Sequence, residues 1–179
     1  MCDLSAGQGF QCKDQIGGIK EILWCKHEDI DFDAIVSGAV TDITSTTTLY
    51  RWVTNRNSGS FNQPVQSNVE NGSLYFLQEL TAQIHKLTAA INVEQANAMR
   101  NRLCIIVRDA NDNFHVMGYT NGAEASGGGI NTGQAAGDLS GYVLAFNAEE
   151  KDPAPFAPNL SDSAVVGAFT GTVTISPAY

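Results

Sequence analysis

The side chains in this sequence best suited to chemistry are three histidines, His27, His85 and His115, four cysteines, Cys2, Cys12, Cys25 and Cys104, and an acidic run, Glu28, Asp29, Asp31 and Asp33. A histidine titrates near neutral pH and can relay protons or hold a metal. Here the three are scattered, with no HExxH or His-x-His spacing, which reads as surface or cross-strand positions. The cysteines contain no CxxC pair, no Cys–His signature surrounds any of them, and the sequence holds no GxSxG elbow. An even cysteine count allows two disulfides, but a reducing cytosol predicts free thiols. Clustered carboxylates can do acid/base work or hold a cation. The run 28–33 precedes an apolar stretch and reads as a solvated loop.

Two segments imitate ligand loops. Asp109-Ala110-Asn111-Asp112-Asn113 begins like a calcium loop, yet the sixth position is Phe114 where Gly is needed and the twelfth is Thr120 where Glu is needed. A hairpin turn explains it. Gly127-Gly128-Gly129-Ile130-Asn131-Thr132-Gly133 suggests a phosphate cradle, but no Gly-Lys-Ser/Thr follows and no helix is predicted to start there. Low bulk and free backbone angles predict a tight inter-strand connection instead. The expected complement of catalytic residues, metals and cofactors is none.

The elements that would position these residues are mostly strands. Leu74, Phe76, Leu80, Ala82 and Ile84 alternate with Glu79, Thr81, Gln83 and His85, the pattern of a long half-buried strand. Tyr142, Leu144, Phe146 and Ala148 repeat it, and Val165, Phe169, Val173 and Ile175 suggest another strand opposite Thr170, Thr172 and Thr174. Residues 103–108 and 114–119 flank the Asp/Asn turn as a hairpin. Weaker strands are expected at 19–25, 49–54 and 61–69, the last at an edge or bulged because of Pro64. One helix is expected over 88–102, with Asn92 and Gln95 as a capping box and Arg100 and Arg102 at its negative end. The expected fold is mostly β, a β-sandwich or half-barrel with one flanking α-helix, in a single domain over 1–179. Segments 1–18 and 151–162 read as arms outside the core, with Phe10, Ile16, Phe156 and Leu160 as anchors. The stretches 41–48 and 55–63 read as polar loops.

Composition narrows the function. The chain has 179 residues, 43% hydrophobic and 16% charged, with 19 acidic and 10 basic residues and a net charge of −9. That apolar content folds. Residues 1–90 hold ten acids and six bases, residues 91–179 nine and four, so neither half is basic. Affinity for DNA comes mainly from cationic contacts, and ordinary nucleic-acid gripping is therefore excluded. An acidic surface suits DNA that must slide past without sticking. No basic, apolar leader opens the sequence and no run reaches the length of a membrane helix, which predicts synthesis in the cytoplasm and no membrane insertion. Neutral polar residues fill much of the remainder, as suits a surface covered by neighbours.

Several blocks carry a family resemblance: Cys2-Asp3-Leu4-Ser5-Ala6-Gly7 followed by Cys12-Lys13-Asp14 and Gly17-Gly18-Ile19-Lys20; Gln66-Ser67-Asn68-Val69-Glu70-Asn71-Gly72; and Gly133 through Gly137-Asp138-Leu139-Ser140-Gly141-Tyr142 to Glu149-Glu150-Lys151 and Pro155. Their order resembles the tail tube (major tail) proteins of tailed bacteriophages infecting Bacteroidetes-type hosts. The resemblance implies a virion structural protein, made in the bacterial cytoplasm and built into the tail. Its subunits would form hexameric rings that stack into a hollow conduit for DNA and meet other tail proteins. It implies no catalytic residues. The segment 41–71 departs from the family in being unusually polar. Two other readings stay open. One is a different virion component, such as a head decoration or baseplate protein. The other is a carbohydrate-binding β-sandwich, for which Trp24, Trp52 and the tyrosines would form a stacking platform, although their place in alternating strands predicts core.

Overall fold

The computed structural model describes Gly7 and residues 13–177, so most of the segment 1–12, with Cys2, Phe10 and Cys12, lies outside the described residues. Eleven strands and two helices are found among them: β1 Ile19–Lys26, β2 Thr47–Val53, β3 Gly59–Asn62, β4 Val65–Asn68, β5 Ser73–His85, α1 Ala89–Arg100, β6 Leu103–Asp109, β7 Phe114–Met117, β8 Glu124–Asn131, β9 Gly141–Glu150, β10 Phe156–Ala157, α2 Ser163–Val166 and β11 Val173–Ser176. The fold is mostly β with one substantial helix, as the alternation requires.

The strands form two sheets. The first has the order β10-β7-β6-β1-β2-β11, antiparallel except for the parallel pair β2 and β11. The second runs β3-β5-β9-β8, and β4 also pairs with β5, beyond the end of β3. Between the sheets lies the main core. Ile22 and Trp24 of β1, and Ile105 and Val107 of β6, meet Leu80, Ala82 and Ile84 of β5 and Tyr142, Leu144 and Phe146 of β9. Trp24 stands edge-on to Phe146 at 5.8 Å and against Trp52 at 5.0 Å, an arrangement favourable for aromatic pairs. Both tryptophans thus serve packing.

A second core covers the opposite face of the first sheet, where Leu23, Cys25, Cys104, Ile106 and Val116 meet Ile30, Ile43 and Leu160 from the long connections. Burial on both faces explains why β1 and β6 read as continuous apolar runs, whereas β5 and β9, covered on one face, alternate.

Several elements differ from the sequence expectation. The helix cap is Thr88, whose hydroxyl accepts from the Ile91 amide at 3.3 Å; Asn92 and Gln95 lie inside the helix. Pro64 divides the expected strand 61–69 into β3 and β4, because it supplies no ladder amide. Of the segment 165–175 only β11 is strand. Asp162 caps α2 by accepting from the Ala164 amide, which turns Val165 and Val166 into a helical turn. The glycine-rich segment is itself a strand, β8, and not a connection. The segment 151–162 is no free arm either: β10 pairs with β7, the Ala154 amide donates to Gln63, and Leu160 is 1% exposed. Residues 13–18 do stay outside the core, with Ile16 exposed and held through its backbone to the Asn111 side chain.

Candidate assembly surface

The residues singled out for chemistry are dispersed. His27 contacts the Thr120 carbonyl through Nε2 at 3.1 Å, His85 ends β5 in solvent, and His115 lies on β7 between Phe61 and Phe156 with Asp109 at 3.6 Å. Glu28, Asp29, Asp31 and Asp33 are all exposed, and Asp33 spends its carboxylate on the Ala34 amide and the Thr41 hydroxyl. Among the described residues no group of three or more His, Cys, Asp or Glu side chains could hold a metal ion. Cys25 and Cys104 are free, buried and opposite one another on β1 and β6. Burial pushes the Cys25 thiol up to about 12 and raises Cys104 as well, so neither is a ready nucleophile.

The Asp/Asn loop is a hairpin turn. Asp109 accepts from the Asn111 and Asn113 amides, each at 2.8 Å, and from the Asn113 side chain at 2.9 Å. Burial alone would raise its pKa, but these bonds hold it below the usual carboxylate range. Asp112 is lowered by hydrogen bonds from Lys20 and Arg108, at 2.6 and 2.9 Å. The chain's own donors therefore occupy the oxygens a calcium ion would need.

What the fold does gather is a surface. The odd positions of β5 and β9 point away from the core, and Leu77, Val143 and Ala145 join neither apolar cluster. With the register partners from β3, β4 and β8, this outer face carries Glu79, Glu124 and Glu149, His85 and neutral residues such as Asn62, Gln66, Thr81, Gln83, Asn131 and Asn147. No lysine or arginine lies in it. Arg102 reaches Glu124 from the rim at 3.4 Å.

The two margins of this sheet lie at opposite ends of its strand order. One is β8, paired only with β9; the other is β3 and β4, paired only with β5. Unpaired strand edges present rows of free amides and carbonyls to another chain. Gly128, at φ +134°, lies so close to the Val143 carbonyl that a Cβ could not fit, and the ladder from β8 to β9 shifts register just before it, between Ala125 and Gly127. The β4–β5 hairpin extends past β9 and exposes Val65, Val69, Leu74 and Tyr75, a third of the twelve exposed large hydrophobic residues among the described residues. Behind β8 runs a cleft of about 580 Å³ whose far wall is α1, lined by Gln95, Met99, Ile130, Tyr142 and Leu144. Pro64 marked the β3 and β4 margin in the sequence, because a residue without an amide donor is confined to edges and bulges; the β8 margin left no local signal, since its edge status follows from long-range pairing alone.

Comparison with protein-family models, curated proteins and solved structures finds no match to this chain. No helix among the described residues is long and apolar enough to cross a membrane.

Proposed function

We propose that the chain is a structural virion protein, a phage tail tube subunit that self-associates head to tail into rings, six subunits to a ring, and stacks them into a hollow conduit for DNA. The reading takes its family and ring number from the order of short sequence blocks. The observation that carries it is one sheet with an uncovered, cation-free face and open edges on opposite margins. Joining unlike edges is a heterologous contact, which closes into a ring when the rotation permits. In such a ring the uncovered face with Glu79 and Glu149 would line the channel, where fixed negative charge keeps a polyanion from adhering. A carbohydrate platform has less support, because Trp24 and Tyr142 are buried and Trp52 packs on Trp24.

Sedimentation velocity across protein and salt concentration tests the proposal. Salt screens the repulsion between copies of charge −9 and should shift the boundary from monomer to ring and larger species. A boundary that stays monomeric at every concentration and salt overturns it.

A further inference from the structure

We infer that the cleft between α1 and β8 is the socket for the β4 strand of a second copy, with Val65 entering it and the Gln95 amide bonding the incoming peptide backbone. This rests on the head-to-tail reading above and adds the residues that would make the joint.

The socket is incomplete on its own. Gln95 is 4% exposed, and neither its amide oxygen nor its amide nitrogen has a hydrogen-bond partner among the described residues. Buried amide groups are nearly always satisfied, and leaving one without a partner is costly. A peptide unit offers one donor and one acceptor, the complement of a carboxamide. The rest of the lining accepts an apolar side chain. Met99 and Ala96 form one wall and Ala125 and Leu144 the floor, no Asp, Glu, His, Lys or Arg takes part, and Ile130 stands 58% exposed at the mouth. Gly127, Gly128 and Gly129 leave the β8 edge bare of side chains, so a guest backbone can approach closely.

The opposite margin supplies the guest. Ring rotation preserves the inner and outer faces of the sheet and the strand directions. Since β4 runs antiparallel to β5, β5 to β9 and β9 to β8, an incoming β4 runs antiparallel to β8. Val65 and Ser67 pair with Phe76 and Leu74 on the inner face, the face on which Ile130 pairs with the buried Tyr142. Val65 thus arrives on the cleft side, and its side chain is 54% exposed in the single copy. β8 lies level with Glu79–His85 of β5, β4 with Ser73–Phe76. A closed sheet tilted by ~40° staggers its strands, and four strands at ~4.8 Å give a shift of ~16 Å, about five residues per copy. Val65 is level with Phe76, and Gly128 and Ile130 are level with Ala82 and Ile84, so the shift that brings Val65 beside them is six (82 less 76) to eight (84 less 76) residues, of the same order.

The test uses full-length protein carrying Cys2→Ser and Cys12→Ser, which leaves only the buried Cys25 and Cys104 as native thiols. Ile130→Cys and Val65→Cys variants are mixed, assembled and treated with a short bis-maleimide. Covalent dimers that form only in the mixture are expected. A companion Gln95→Leu variant should melt no lower than the parent, yet need about ten-fold more protein to assemble, because the guest loses its hydrogen bonds. Assembly by sedimentation without covalent dimers, or Gln95→Leu assembling at the parent concentration, overturns the socket and leaves the tube reading standing. Absence of any assembly overturns both.

Discussion

Replacing Leu160 by alanine tests most sharply how the chain after β9 is held. Leu160 is 1% exposed and packs in the second core with residues such as Ile43, Phe114 and Val116. A leucine-to-alanine change at such a site costs about 2–5 kcal/mol, the transfer term plus the cavity left behind. In a domain of this size each kcal/mol lowers the melting temperature by roughly 2–4 °C, so Leu160→Ala should lower it by about 4–20 °C. Phe156, four residues earlier, is 47% exposed and rests on His115 at 4.7 Å. Full burial of a phenylalanine contributes ~1.5–3 kcal/mol, so Phe156→Ser should remove only about half of that, a shift of about 2–6 °C. Thermal unfolding followed by circular dichroism reads both. If Leu160→Ala melts within 2 °C of the parent, or below it no further than Phe156→Ser does, the segment 151–162 is a detachable arm and the second core is misdrawn.

Three further outcomes follow from the same contacts. The lowered Asp109 contributes stability that is complete above the unfolded Asp pKa of about 3.9 and is lost as pH falls through its folded value. Asp109→Asn should therefore destabilise at pH 7 and converge with the parent near pH 2 in denaturant titrations. With Cys2 and Cys12 changed to serine, a chromogenic thiol reagent at pH 8 should find no reactive thiol in the native fold and two after denaturation; fast native labelling would mean that β1 and β6 open readily. Chelator should leave the melting temperature unchanged, and a fall of several degrees would reveal a metal site.

The sequence announced the strands that carry side chains on alternating faces. Leu74 to His85 and Tyr142 to Glu149 became β5 and β9, the central pair of the second sheet, because one covered face imposes period two. It was silent where side chains are absent or local bonding competes. Gly127–Gly129 have no alternation to read, and only the ladder to β9 makes them a strand. Val165 and Val166 fit a strand by type, yet the Asp162 cap outweighs that preference over so short a piece. Thr88 and Asn92 are both types that cap helices, and only the fold shows that the backbone turns at Thr88. For the candidate surface, the acids 28–33 drew attention by proximity in sequence. The face that gathers Glu79, Glu124 and Glu149 joins glutamates up to seventy residues apart (149 less 79), visible only once the sheet register is known.

Electron microscopy of the purified full-length protein at raised concentration and salt tests the central claim most directly. The account predicts stacked rings with an open channel, the second sheet forming the inner wall and its uncovered face, with Glu79 and Glu149, turned toward the axis. Solid particles, closed dimers or isolated monomers under every condition would contradict it, as would tubes whose inner wall is the six-stranded sheet.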